Sequence, residues 1–256
     1  MNKITIRFYA ELNDLLPPSR RQKAIGNSFK GRPAVKDLIE SLGVPHTEVD
    51  LILVNGESVG FEHCLQGGET VGVYPIFQSI DISALTKVRP EPFSELRFAL
   101  DTHLGKLALY LRMLGFDSYN SNMASDEKLA AISAEEKRIL LTRDRGLLKR
   151  SKVLYGYWLR STAPAAQLRE VLQRFGLYPL LRPFQRCLRC NSVLQAVSKE
   201  KGLASLPPKV REYCAEFHLC PGCGRLYWNG THYEHMTEFV KHIQNDNSSV
   251  PPYQDP

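Results

Sequence analysis

Near the N-terminus Ile4, Ile6 and Phe8 alternate with polar or charged neighbours, the period-two pattern of a strand with one buried face. Val35, Leu38, Ile39 and Leu42 instead recur at helical spacing with Gly43 as a stop, so a helix is predicted over 33–42. Leu51 to Val54 is a short apolar run ending at Asn55-Gly56, a hairpin-turn signal, and 71–76 supplies another strand after Gly67-Gly68. Further on, 96–100 reads as an apolar strand that delivers Asp101 at its carboxyl end. Thr102 is placed to cap a helix on which Leu104, Leu107, Ala108, Leu111 and Leu114 share a face, with Gly115 as its end. Residues 116–119 read as a second strand. Ser125 caps the next helix, with Asp126 and Glu127 in its first turn, and 138–142 forms a third strand leading to Asp144. One more helix is expected over 163–175.

Strand, strand, helix, strand and strand within the first 80 residues suggest a β-grasp fold (α+β). The later alternation of strand and helix predicts an α/β domain, a parallel sheet with helices on both faces. Between them, 79–93 carries Pro90 and Pro92 with few large apolar residues and reads as a linker. The end of the chain, from Asn245, is polar and Pro-rich and is expected to be disordered. No run approaches the roughly 18 apolar residues of a membrane span, and the first residues alternate instead of forming the apolar block of an export signal. A cytoplasmic protein with no membrane partner is expected.

Chain chemistry narrows this further. Four of six cysteines form two C-x-x-C pairs, Cys187/Cys190 and Cys220/Cys223. Without an export signal a structural Cys₄ zinc site is favoured over disulfides. Gly222 and Gly224 permit the tight turn that wraps a metal-bound sulfur, and the long interval between the pairs, with Leu206-Pro207-Pro208, predicts an inserted excursion. Cys64 and Cys214 read as small buried hydrophobes; His218, His232 and His235 read as surface, packing or RNA-contacting residues.

The net charge is +6, yet residues 1–80 hold 8 Lys and Arg against 9 Asp and Glu, which leaves 25 against 18 for the remainder. A basic later region attracts a polyanion, RNA or DNA first, although a solvated basic surface has the same composition. Lys106, Arg112, Arg143, Arg145 and Arg225 are candidate phosphate contacts. Tyr227 and Trp228 could stack on unpaired bases or form a small core against the zinc turn.

Asp101 and Asp144 sit at strand carboxyl ends, where open α/β sheets place ligands, and Asp126 begins the intervening helix. Each could serve only as a cap or turn residue. Together, three converging carboxylates call for a hard cation such as Mg²⁺ or Mn²⁺, which activates water and stabilises charge on a phosphodiester.

Two resemblances join these residues. Ile6-Arg7-Phe8-Tyr9-Ala10, Val35-Lys36-Asp37-Leu38-Ile39-Glu40, Leu53-Val54-Asn55-Gly56 and Val71-Gly72-Val73-Tyr74-Pro75 resemble the ubiquitin-like, sulfur-carrier-like domains. Those carriers use a free C-terminal Gly-Gly, whereas Gly67-Gly68 is internal, so a module that docks a protein partner or aids folding is expected. Asp101 to Ala108, Leu111 to Asp117 and Leu140 to Arg145 resemble the Mut-seven C-terminal RNase family, a branch of the PIN-like nucleases whose members also carry such an N-terminal domain. The resemblance covers 95–240 and implies a metal-dependent RNase with Asp101, Asp126 and Asp144 as catalytic ligands. Many PIN domains carry a further acid after the Thr-x-Asp motif. Here Arg145-Gly146-Leu147 stands there, with Asp117 or Glu127 as substitutes. The expected plan is a ubiquitin-like domain over 1–80, a linker over 81–94, a PIN-like domain over 95–180, a zinc ribbon over 181–243 and a tail over 244–256. A catalytically silent RNA- or ribosome-binding adaptor is the alternative.

Overall fold

The computed structural model describes residues 1–77, 80–88, 95–198 and 216–245. Its strands and α-helices run in chain order as β1 (Asn2–Phe8), β2 (Ala24–Phe29), α1 (Val35–Ser41), β3 (Leu51–Val54), β4 (Glu57–Ser58), β5 (Thr70–Tyr74), β6 (Arg97–Leu100), α2 (Gly105–Met113), β7 (Asp117–Asn120), α3 (Asp126–Glu135), β8 (Ile139–Thr142), α4 (Arg145–Leu148), β9 (Gly156–Trp158), α5 (Pro164–Arg174), β10 (Gln195–Val197), β11 (Phe217–Leu219), β12 (Leu226–Trp228) and α6 (Thr231–Asn245). Two compact units form, one from Met1–Glu95 with Asp126–Trp158, the other from Leu96–Ser125 with Leu159–Pro256. The segment 126–158, expected within the second domain, therefore groups with the N-terminal residues.

In the first unit five strands are ordered β2-β1-β5-β3-β4. The β1–β5 pair is parallel, with Phe8 opposite Val73, and its neighbours are antiparallel, which is the β-grasp arrangement. The alternation seen in sequence sends Ile4, Ile6 and Phe8 inward to meet Leu38, Ile39, Ile52 and Val73. Asn55 and Gly56 both have positive φ (50° and 88°), as a two-residue hairpin joining β3 to β4 requires. Part of the expected linker packs here: Val88 joins this core, Ile82 is buried, and Thr86 Oγ1 donates to Asp50 O. Residues 89–94 of that linker lie outside the described residues.

Within 126–158, β8 and β9 pair in parallel, with Thr142 opposite Trp158. Trp158 packs against the β-grasp core. Gly156 passes so close to its surroundings that a Cβ would sit 2.5 Å from Leu148 Cδ2 and 3.4 Å from Thr47 Cβ. Polar contacts fasten the same segment. Lys149 Nζ donates to Glu40 O, and His46 meets Glu40 Oε1 through Nδ1 and Val153 O through Nε2. Both ring nitrogens thus face oxygens, one of the first unit's helix α1 and one of the 126–158 segment.

In the second unit β6 and β7 are parallel, with Leu100 opposite Asn120. Phe98, Ala99 and Leu100 are fully buried, as an apolar run covered on both faces should be. Helix α2 is preceded by a 3₁₀ turn over Thr102–Leu104, so Thr102 lies inside the turn and Asp101 takes the cap position expected of Thr102. Antiparallel strands β10-β11-β12 and helix α6 complete the unit. That helix, read from sequence as part of the ribbon and its tail, buries Met236, Phe239, Val240 and Ile243 on one face. The excursion around Leu206-Pro207-Pro208, Cys214 and the tail from 246 lie outside the described residues.

Candidate functional site

The two cysteine pairs fold as near copies of each other. In the first, Asn191 N donates to Cys187 O and Cys187 N to Ser192 O; in the second, Gly224 N donates to Cys220 O and Cys220 N to Arg225 O. The residue after each pair has positive φ, 71° at Asn191 and 69° at Gly224, which turns the backbone round the sulfurs. Gly222 is needed for closeness: a Cβ there would lie 2.3 Å from Ser192 Oγ and 3.3 Å from Cys190 Sγ.

The four sulfurs lie within 4.8 Å of one another, with Cys187–Cys223 at 3.6 Å and Cys190–Cys220 at 3.2 Å. Four thiolates about 2.3 Å from one tetrahedral ion stand about 3.8 Å apart, so this donor set fits a soft-ligand metal such as zinc. Among the described residues, no other group of three or more His, Cys, Asp or Glu side chains gathers its ligand atoms in this way. Burial pushes the Cys220 thiol up, to about 12, and its hydrogen bond with Cys190 adds to this. At Cys190 burial acts the same way, but hydrogen bonds from Ser192 and Cys220 outweigh it and hold the thiol at about 6. Hydrogen bonding among these crowded thiols thus pulls the two in opposite directions. Tyr227 supports the cluster: its hydroxyl accepts from Leu188 N and lies 3.1 Å from Cys187 Sγ. Trp228 packs against Phe217. Both rings therefore follow the core reading.

The first cysteine turn is seated on α2 and β7. Arg112 is only 7% exposed and donates to Ser118 O, Leu188 O and Arg189 O. Burial lowers its pKa, and the charges of Cys187 and Cys190 oppose that shift. Arg112 was a candidate RNA contact; with its guanidinium buried and pointed at three carbonyls, it is a clamp between the helix and the cysteine turn. Asn191 receives Ser118 N and donates to Asp117 Oδ1, while Arg186 lies 3.7 Å from Asp117 Oδ2 and donates to Gly115 O. Asp117 is thereby committed to this joint, which removes it as a substitute metal ligand. Cys64 is also corrected, since its thiol is exposed.

Asp101 directly follows β6, with Thr102 Oγ1 donating to its Oδ1 and Asn120 Nδ2 fixing its carbonyl at 2.9 Å. In the first unit, Asp126 is exposed at the first position of α3, 3.9 Å from Arg150. Asp144 caps α4 through Oδ1, which accepts from Gly146 N at 2.7 Å, and its own N–H donates to Thr142 Oγ1. Of the basic candidates, Arg143 and Arg225 are exposed, and Lys106 lies partly buried with Nζ 5.7 Å from the Tyr110 ring centre. Arg145 differs from the expectation of a phosphate contact: its guanidinium lies 4.1 Å over the Trp158 ring and donates to Leu15 O. Sequence reasoning missed Asn120 and Trp158, neither of which carries a local motif.

Residues 96–240 match the Mut7-C RNAse domain, and residues 1–81 match the Mut7-C ubiquitin family. Two solved structures are similar to part of the chain. The small archaeal modifier protein 1 of H. volcanii is 16% identical, over 29% of this chain and 98% of its own, with a TM-score of 0.24. A Pyrococcus furiosus protein described as molybdopterin converting factor, subunit 1, is 25% identical over the same shares, with a TM-score of 0.23. The comparison with curated proteins finds no match. No helix among the described residues is long and apolar enough to cross a membrane.

Proposed function

Since the chain belongs to the Mut7-C RNase family, we propose that it is a divalent-metal-dependent ribonuclease that hydrolyses RNA phosphodiester bonds, with Asp101, Asp126 and Asp144 as the ion's ligands. The observation that carries this reading is the match over 96–240, which spans all three aspartates. Their positions support it, Asp101 immediately after β6, Asp144 just beyond β8 and Asp126 opening α3. Three carboxylates are the hard oxygen donors that Mg²⁺ or Mn²⁺ prefers. When bound, such an ion activates water and neutralises charge developing on the phosphate. The exposed Arg143 and Arg225, with Lys106, would hold the phosphate backbone, and the basic excess beyond residue 80 would draw RNA towards it. We assign zinc to Cys187, Cys190, Cys220 and Cys223 as a permanent architectural ion.

The test is cleavage of a mixed cellular RNA pool with Mn²⁺ or Mg²⁺ by the intact chain and by Asp144→Asn, with RNA binding measured in parallel. Cleavage should disappear in the variant while binding persists. Identical products from both proteins would overturn the assignment of Asp144. An intact chain that binds RNA without cutting it under any divalent ion would establish the adaptor instead.

A further inference from the structure

Asp144 is held between two neighbours that share one aromatic ring. On its N-terminal side, the carbonyl of Arg143 accepts from Trp158 Nε1 at 3.0 Å. On its C-terminal side, the Arg145 guanidinium lies 4.1 Å over the face of the same indole and donates to Leu15 O at 2.9 Å. Trp158 is itself fixed by the N-terminal domain. Its backbone N–H donates to Glu48 Oε1, and its ring packs against the β-grasp core. Glu48 is fully buried. A buried carboxylate is costly unless it is hydrogen-bonded, so its placement opposite the Trp158 N–H is a specific feature of the fold. All these residues belong to the first unit.

We infer that Trp158 is a positioning residue for Asp144, and that the ubiquitin-like domain, through Glu48 and Leu15, serves as an internal brace that fixes this catalytic loop, an inference that rests on Asp144 being a ligand of the catalytic ion. The face of the domain formed by Leu15, Glu40, His46 and Glu48 is occupied by the chain's own 145–158 segment. An in-cis role for the domain follows from that occupancy. The brace acts on geometry: Trp158 does not touch the phosphodiester, but it limits where the backbone on either side of Asp144 can go. Small displacements of a catalytic group are costly, up to about 100-fold for roughly 1 Å.

Trp158→Phe in the full chain keeps a ring beneath Arg145 while removing the N–H from the Arg143 carbonyl. Glu48→Ala removes the acceptor from the Trp158 N–H without altering any residue of 143–149, and Glu48→Gln restores an acceptor of the same shape. Steady-state cleavage with Mn²⁺, the Mn²⁺ concentration for half-maximal rate, and amide hydrogen exchange over 143–149 are read for each. Trp158→Phe and Glu48→Ala should lower kcat about tenfold with KM for RNA unchanged, raise the half-maximal Mn²⁺ several-fold and speed exchange over 143–149. Glu48→Gln should recover most of all three. Wild-type exchange and kcat in both Trp158→Phe and Glu48→Ala would overturn the inference, as would a loss that Glu48→Gln fails to repair. If Trp158→Phe does not fold, the two Glu48 variants decide by the same readings. Asp144→Asn, measured alongside, separates the premises: cleavage that survives in it defeats Asp144 as ligand, whereas exchange over 143–149 reports on the brace independently.

Discussion

Replacing Arg112 with Met tests how firmly the first cysteine turn is held to α2. Methionine keeps most of the aliphatic volume and removes four hydrogen bonds, of 2.8 to 3.0 Å, to the carbonyls of Ser118, Leu188 and Arg189. Ser118 is fully buried, so its carbonyl has no water to replace the lost donors, a cost of about 1–3 kcal/mol. Arg189 is exposed and Leu188 partly so, and water can serve their carbonyls, which adds less than about 1 kcal/mol each. Against this, the variant no longer buries a guanidinium, a relief that cancels part of the loss. A net destabilisation of about 2–3 kcal/mol is expected, or about 4–12 °C in the Tm of a unit this size. Thermal unfolding of zinc-loaded protein measures the first quantity, and capture of released zinc by a chromophoric chelator measures the second consequence, faster metal loss. Arg112→Lys should resemble Met, because one ammonium cannot span three carbonyls. A Met variant within 0.5 kcal/mol of wild type on the scale of surface substitutions, with unchanged zinc release, would refute the clamp.

Two further perturbations have clear signs. Gly115 has φ of +97°, and a Cβ there would stand 2.2 Å from Arg182 O, so Gly115→Ala combines left-handed strain with a backbone clash. A loss of about 3 kcal/mol or more is expected by denaturant unfolding, and a loss below 1 kcal/mol would contradict that geometry. Burial pushes the Glu40 carboxyl up, but the hydrogen bond and charge of His46 outweigh it and leave its pKa below the ordinary 4.5. Its stabilisation is therefore complete above 4.5 and is lost as pH falls through the lower folded value. Glu40→Gln should cost about 1–2 kcal/mol at pH 7 and nothing once wild-type Glu40 is protonated; a difference that persists at low pH would contradict the pairing.

What sequence could and could not reveal follows from range. The alternation of Ile4, Ile6 and Phe8, the helical recurrence along α2 and the paired cysteines are all encoded within a few residues, and the structure places them as read. Met236, Phe239, Val240 and Ile243 also carry helical spacing, and α6 was legible there although the expected ribbon absorbed it. By contrast, β9 has three residues, too few for a period to register. Arg112 shows why charge patterning misleads: on a helical wheel it reads as a surface cation, yet two of its three partners lie 76 and 77 residues onward. Arg145 and Trp158 fail in the same way. Their neighbours are Leu15 and Glu48, and nothing local announces them.

The Glu48–Trp158 bond also sets a timetable for the newborn chain. Its partners are 110 residues apart. At about 5–20 residues per second of vectorial synthesis, roughly 5–20 s pass between the emergence of Glu48 and that of Trp158. During that interval Glu48 and the apolar bed of Trp158 lack the strand that covers them in the finished fold.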